Sequence, residues 1–159
     1  MSAPQTGKRG EQIRLKRLAV FAPAFRDSKT SFGQWHRMTG KGTLSEPLTG
    51  PWFELSEVAN QFCKMLYDAG WILEGFDWTE WIHTPDAQKL LRHRKAIAAA
   101  DCDQLAKLLT ALVRQDRFSE GTLERSYADK ILLAIAERAE SLLTTSRRRR
   151  RKGASGARP

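Results

Sequence analysis

Four ionisable side chains crowd the stretch LLTALVRQDRFSEG, residues 108–121: Arg114, Asp116, Arg117 and Glu120, closed by Gly121. Two carboxylates beside an arginine are the groups from which general acid–base catalysis or anion binding is built. The same set also suits a plainer task. Asp116 falls near the C-terminal end of a helix, where the helix dipole opposes an anion by about 0.3–1 kcal/mol. An acid placed there calls for a compensating partner, either a backbone amide of the next helix or an arginine elsewhere. Phe118 is expected to plug the corner, and Gly121 to supply the backbone freedom of the turn. The preferred reading is a helix junction held by charge-assisted hydrogen bonds. The alternative is an enzyme that uses Asp116, Glu120 and Arg117 beside an aromatic pocket.

The aromatic residues concentrate between positions 32 and 81: Trp35, Trp52, Trp71, Trp78 and Trp81, with Phe32, Phe53 and Phe76. Indole rings dominate cores and interfaces alike, and a core is the favoured reading. If a pocket forms, Trp35, Trp78 and Trp81 are its expected wall, with His36 nearby and Arg117 or Glu120 at its rim. No metal site or cofactor is expected, because His36, His83 and His93 are scattered and no pair has the i, i+4 spacing of a ligand pair. Cys63 falls on or beside an apolar helical stripe, and Cys102 is flanked by Asp101 and Asp103, which oppose a thiolate. The chain has no G-x-S-x-G elbow, no P-loop and no G-x-G-x-x-G. Asp77 and Glu80 could serve as acid–base carboxylates, but acids at helix starts are more often caps.

The net charge of +9 matters through its location. The C-terminal tail carries Arg147, Arg148, Arg149, Arg150, Arg151 and Lys152, and the head holds Lys8, Arg9, Arg14, Lys16 and Arg17. The body between them, residues 18–146, is slightly acidic. The tail is thus a nonspecific nucleic-acid contact, an attachment to an acidic protein, or a solvated end. A DNA-reading helix–turn–helix fits LAKLLTALVRQDRFSEGTLERSYADK poorly. Arg117 occupies the place, four residues before Gly121, where a small residue normally lets the helices approach. The second helix would also expose Glu124 and Asp129. Two cysteines without C-x-x-C spacing suit a reducing compartment. The run LAVFAPAF is short, holds Pro23 and lacks a cleavage site. No run has the roughly 20 apolar residues of a membrane span, so a cytoplasmic protein with no membrane contact is expected.

These groups must be positioned by helices. Apolar spacing predicts a first helix over Gly10–Ala22, ended or kinked by Pro23, whose ring costs about 3 kcal/mol inside a helix. Residues 28–55 are irregular, and two short strands pairing as a hairpin are expected there. Ser56 as N-cap and Gly70 as stop bracket a second helix with Val58, Ala59, Phe62, Met65, Leu66 and Ala69 inward. Asp77 with Glu80, Thr84 before Pro85, and Asp101 with Gln104 mark further starts. Leu105, Leu108, Leu109 and Leu112 form the clearest stripe, and a last helix is expected over Thr122–Leu143.

The motifs SFGQW (31–35), LYDAGW (66–71), FDWTEW (76–81) and LLTALVRQDRFSEG resemble those of a family of small bacterial proteins known only as a domain of unknown function. The resemblance spans roughly residues 13–143. It implies a mainly helical single domain and supplies no activity. The sequence departs from it in IHTPDAQ and in the arginine tail, which therefore inherits nothing from it. The expected molecule is mainly α, a single compact domain of about five helices with a small β-hairpin in residues 28–55. A disordered head (1–9) and a disordered basic tail (147–159) flank a helical body (10–146). Its expected role is that of a non-enzymatic binding or adaptor module.

Overall fold

The computed structural model describes residues 7–155, so residues 1–6 of the expected head and 156–159 of the expected tail lie outside the described residues. The chain runs through α1 (Lys8–Ala19), α2 (Ala22–Arg26), β1 (Gly33–His36), β2 (Trp52–Leu55) and α3 (Glu57–Asp68). It continues through α4 (Trp78–Trp81), α5 (Pro85–Arg92), α6 (Arg94–Ile97), α7 (Cys102–Asp116), α8 (Thr122–Ala128) and α9 (Ile131–Ser155). The fold is mainly helical with one antiparallel hairpin, in which Trp35 pairs with Phe53 and His36 with Trp52.

There are more helical segments than the expected five, because local chemistry cuts the longer stripes. Pro23 does not kink one helix; it sits in the first turn of a second, where its missing N–H costs nothing. The four predicted starts are built as their side chains require. Ser56, Asp77 and Thr84 accept from the backbone N–H of Ala59, Glu80 and Ala87. Asp101 and Gln104 close a full capping box. Each such cap stabilises its helix by about 1 kcal/mol.

The expected Thr122–Leu143 helix is two helices. Lys130 takes a left-handed backbone, φ 63°, between α8 and α9, a conformation that costs a non-glycine residue roughly 1–2 kcal/mol. The second of the two does not stop with its apolar stripe near Leu143. It continues through the arginine run to Ser155, where the sequence reading began a disordered tail at residue 147. Arginine is a good helix former, and a helix already nucleated extends at little cost.

The core gathers around α7, whose Leu105, Leu108, Leu109 and Leu112 are buried with Phe62 and Leu66 of α3 and Leu132 and Ile135 of α9. Each such side chain is worth roughly 1.5–3 kcal/mol of transfer free energy. Phe25 joins the layers, edge-on to Phe62 at 5.1 Å and to Tyr127 at 5.5 Å. Trp71 is fully buried, and the Arg14 guanidinium lies over its ring at 4.4 Å. Buried Thr110 shares its one hydroxyl hydrogen between the carbonyls of Ala106 (2.7 Å) and Trp71 (3.3 Å) and accepts from the Leu73 N–H at 3.0 Å. α9 is tied down along its first half. Arg138 Nε donates to the Ala100 carbonyl at 2.7 Å, and Gln12 of α1 donates to Ser146 Oγ at 2.6 Å.

Candidate functional site

The charged corner forms where α7 turns into α8, and each of its ionisable groups has a bond in the fold. Asp116 Oδ1 accepts from the backbone N–H of Leu123, in the first turn of α8, at 3.0 Å. This is the compensating amide that an acid at a helix C-terminus requires, and it sets the angle of the next helix. Arg117, the C-cap of α7, donates to the Tyr67 hydroxyl on α3 at 2.7 Å. Arg114 donates to the Leu73 carbonyl at 2.9 Å.

Glu120 reaches across to the hairpin, where its Oε1 accepts from the backbone N–H of Phe53 at 2.9 Å. A two-stranded sheet leaves the outward amides of each strand unpaired, and Glu120 satisfies one of them. Gly121 completes the clamp. Its φ is +94°, and the Trp35 ring lies so close that a Cβ there would come within 2.8 Å of Trp35 Cζ2. The predicted glycine requirement therefore has two causes, the backbone conformation and the indole above it.

The structure brings Trp35, Glu120 and Gly121 together beside Asp116 and Arg117, and turns His36 to the other face of the hairpin. Trp35 packs on Phe53 at 5.3 Å and stays 49% exposed. His36, the next residue in the strand, presents its ring to the other face. There it stacks on Trp52 at 4.5 Å and meets Glu54 Oε2 at 2.5 Å. That contact, with a second from Gln34, holds the Glu54 carboxyl below its ordinary range. Trp78 stacks with Phe118 at 6.1 Å, while Trp81 turns inward against Phe76 at 5.9 Å. Phe118 corrects the sequence reading: it does not plug the corner but stands 83% exposed. Asp116, Glu120 and Gly121 already close the junction, so no apolar wedge is needed.

Nucleophilic chemistry finds little support in the thiols. Burial pushes Cys63 up to about 11, with Asp116 adding to the effect, and burial likewise pushes Cys102 up to about 11. Both are therefore almost wholly protonated at neutral pH. Among the described residues, no group of three or more His, Cys, Asp or Glu side chains is arranged to hold a metal ion. No helix among them is long and apolar enough to cross a membrane.

Sequence reasoning missed Tyr67 as the partner of Arg117 and Glu54 as the partner of His36. The cross-strand register that pairs His36 with Trp52, and so puts Glu54 beside it, is not readable from either strand alone. It also missed a groove of about 400 Å³ between α6 and the start of α9, lined by Arg94, Lys95, Lys130 and Arg138. Two segments distant in sequence, residues 94–98 and 130–141, meet there, and no local motif announces it.

Fold and corner together define a mainly helical domain whose hairpin is clamped onto a helix junction by a glutamate and a glycine. The chain belongs to the Family of unknown function (DUF6508), whose model matches residues 11–145. Neither the curated proteins nor the solved structures provide a match.

Proposed function

We propose that this protein is a non-enzymatic binding module that meets an acidic partner through the cationic C-terminal part of α9. The observation that carries this reading is the use of the corner. Asp116, Arg117 and Glu120, the groups an enzyme would need, are engaged with the Leu123 amide, the Tyr67 hydroxyl and the Phe53 amide. A carboxylate already accepting a backbone N–H is a hinge pin before it is a base.

The cationic run supports the second half of the proposal. Arg147–Lys152 continue a helix that is anchored to the body at Arg138 and Ser146, so the run is carried on helical backbone. Pre-ordering lowers the entropic cost of binding an anionic surface. Six cations can neutralise several phosphates of a nucleic acid or face an acidic protein.

The test compares the full chain with one ending at Ser146, measuring affinity for polyuridylate at about 0.05 and 0.2 M salt by fluorescence anisotropy. The full chain is expected to bind at least about tenfold more tightly at the lower salt and to lose that advantage at the higher. Equal binding by the two chains at both salts contradicts the proposal.

A further inference from the structure

We infer that the groove between α6 and α9 is a second, body-borne phosphate site, which carries the backbone of a nucleic acid onto the arginine run. This rests on the binding-module reading and adds to it a site within the folded body.

The groove is concave, about 400 Å³ in volume, and lined by four cations, Arg94, Lys95, Lys130 and Arg138. Among the described residues, none of the four has a carboxylate partner in an ion pair. The acid that also lines it, Glu137, is already claimed. Arg26 of α2 bonds Glu137 at 2.9 Å and also bonds Glu140, and those contacts draw the carboxylates toward α2. The slightly acidic body thus holds a local excess of positive charge. Summed charge conceals it, and a concave wall focuses its field.

One of the cations occupies a place that the fold itself does not favour. Lys130 stands in a left-handed position where glycine or asparagine would be comfortable. Strain kept in a residue that could have been glycine points to a use for its side chain. Lys130 also lies 5.8 Å from the centroid of the Tyr127 ring. Arg138 anchors through Nε to the Ala100 carbonyl, which fixes the plane of its guanidinium.

The groove is continuous with the basic arm. Ala134, Arg138 and Ser141 lie on one stripe of α9, and Thr145 and Arg148, both exposed, follow at the same i+3/i+4 spacing. Arg138 and Arg148 are about 15 Å apart along the helix, a span that a phosphodiester backbone of several nucleotides covers. A row of cations with a concave start and no base-reading helix suits sequence-independent contact.

The experiment uses the full chain and two variants of it. In the first, Arg94→Gln, Lys95→Gln and Lys130→Gly remove three of the groove's four cations and leave Arg138 to its structural bond. In the second, Arg147–Lys152 are all changed to glutamine. Lys64→Gln, on α3, serves as the single-charge control. Polyuridylate, polyglutamate and inorganic phosphate are the probes. The groove variant is expected to lose about tenfold to a hundredfold in polyuridylate affinity at about 0.05 M salt. With three cations gone, the slope of log affinity against log salt should fall by about 2. Lys130→Gly alone should weaken binding while folding at least as stably as the parent chain, which excludes misfolding as the cause.

Affinity within twofold of Lys64→Gln overturns the groove site. If only the arginine-run variant weakens, the groove falls and the reading of the arm stands. If only the groove variant weakens, the groove stands and the arm does not. Polyglutamate bound as tightly as polyuridylate, or inorganic phosphate bound with no gain from the polymer, overturns the nucleic-acid assignment.

Discussion

Replacing Trp71 with alanine is expected to lower the unfolding free energy by about 3–5 kcal/mol, the largest single loss in this molecule. The indole is fully buried, and its backbone carbonyl takes the Thr110 hydroxyl. Its ring also carries the Arg14 guanidinium at 4.4 Å. Truncation removes the packing and strands a cation whose Nε and Nη2 are buried without another partner among the described residues. Cation–π contact adds about 0.5–2 kcal/mol to the loss. Trp71→Phe separates the contributions. It keeps an aromatic face under Arg14 and removes an indole N–H that has no acceptor among the described residues, so it should cost well under half as much. Urea unfolding of the three proteins checks this. An alanine variant within about 1 kcal/mol of the parent chain would show that Trp71 is not a keystone of the core.

Gly121→Val is expected to destabilise by about 2–3 kcal/mol, the second-largest effect. A branched side chain resists φ +94°, and its Cβ would sit 2.8 Å from Trp35 Cζ2. Trp35 is half exposed and can move, so part of the cost is recoverable. In the double variant with Trp35→Ala, the collision is gone and only the backbone penalty remains. The double should therefore lose less than the sum of the two single changes, by roughly 0.5–1.5 kcal/mol of coupling. Strict additivity would mean that the hairpin does not rest on the corner. Loosening of the hairpin should be visible as faster amide exchange at Phe53, whose N–H is bonded to Glu120.

Much of this architecture is local and therefore legible. Ser56, Asp77, Thr84 and Asp101 act on amides three residues away, so their roles follow from sequence spacing. The leucine stripe of α7 declares its buried face. Asp116 was legible through a conflict: an acid where the dipole opposes it needs a partner, an amide of the next helix or an arginine, and the Leu123 amide is the one. What could not be read was non-local. Phe118 looked like a wedge because phenylalanine near a turn usually packs, yet the corner closes through polar bonds and leaves the ring outside. Lys130 carries no sign of its left-handed backbone, so α8 and α9 read as one helix. The pairing of Arg117 with Tyr67 bridges two helices 50 residues apart. The basic groove is the same kind of case, since its four cations come from α6, a turn and α9.

The claim on which the rest depends is that the charged corner serves the fold and the anionic partner meets α9. The direct measurement is urea unfolding, alongside polyuridylate affinity, for Asp116→Ala and Glu120→Ala in the full chain. The account predicts a stability loss of about 1–3 kcal/mol for Asp116→Ala and a smaller one for Glu120→Ala, with affinity within about threefold of the parent because both carboxylates are engaged with backbone amides of the fold. Unchanged stability with a tenfold loss of binding would place the ligand at the corner and contradict it.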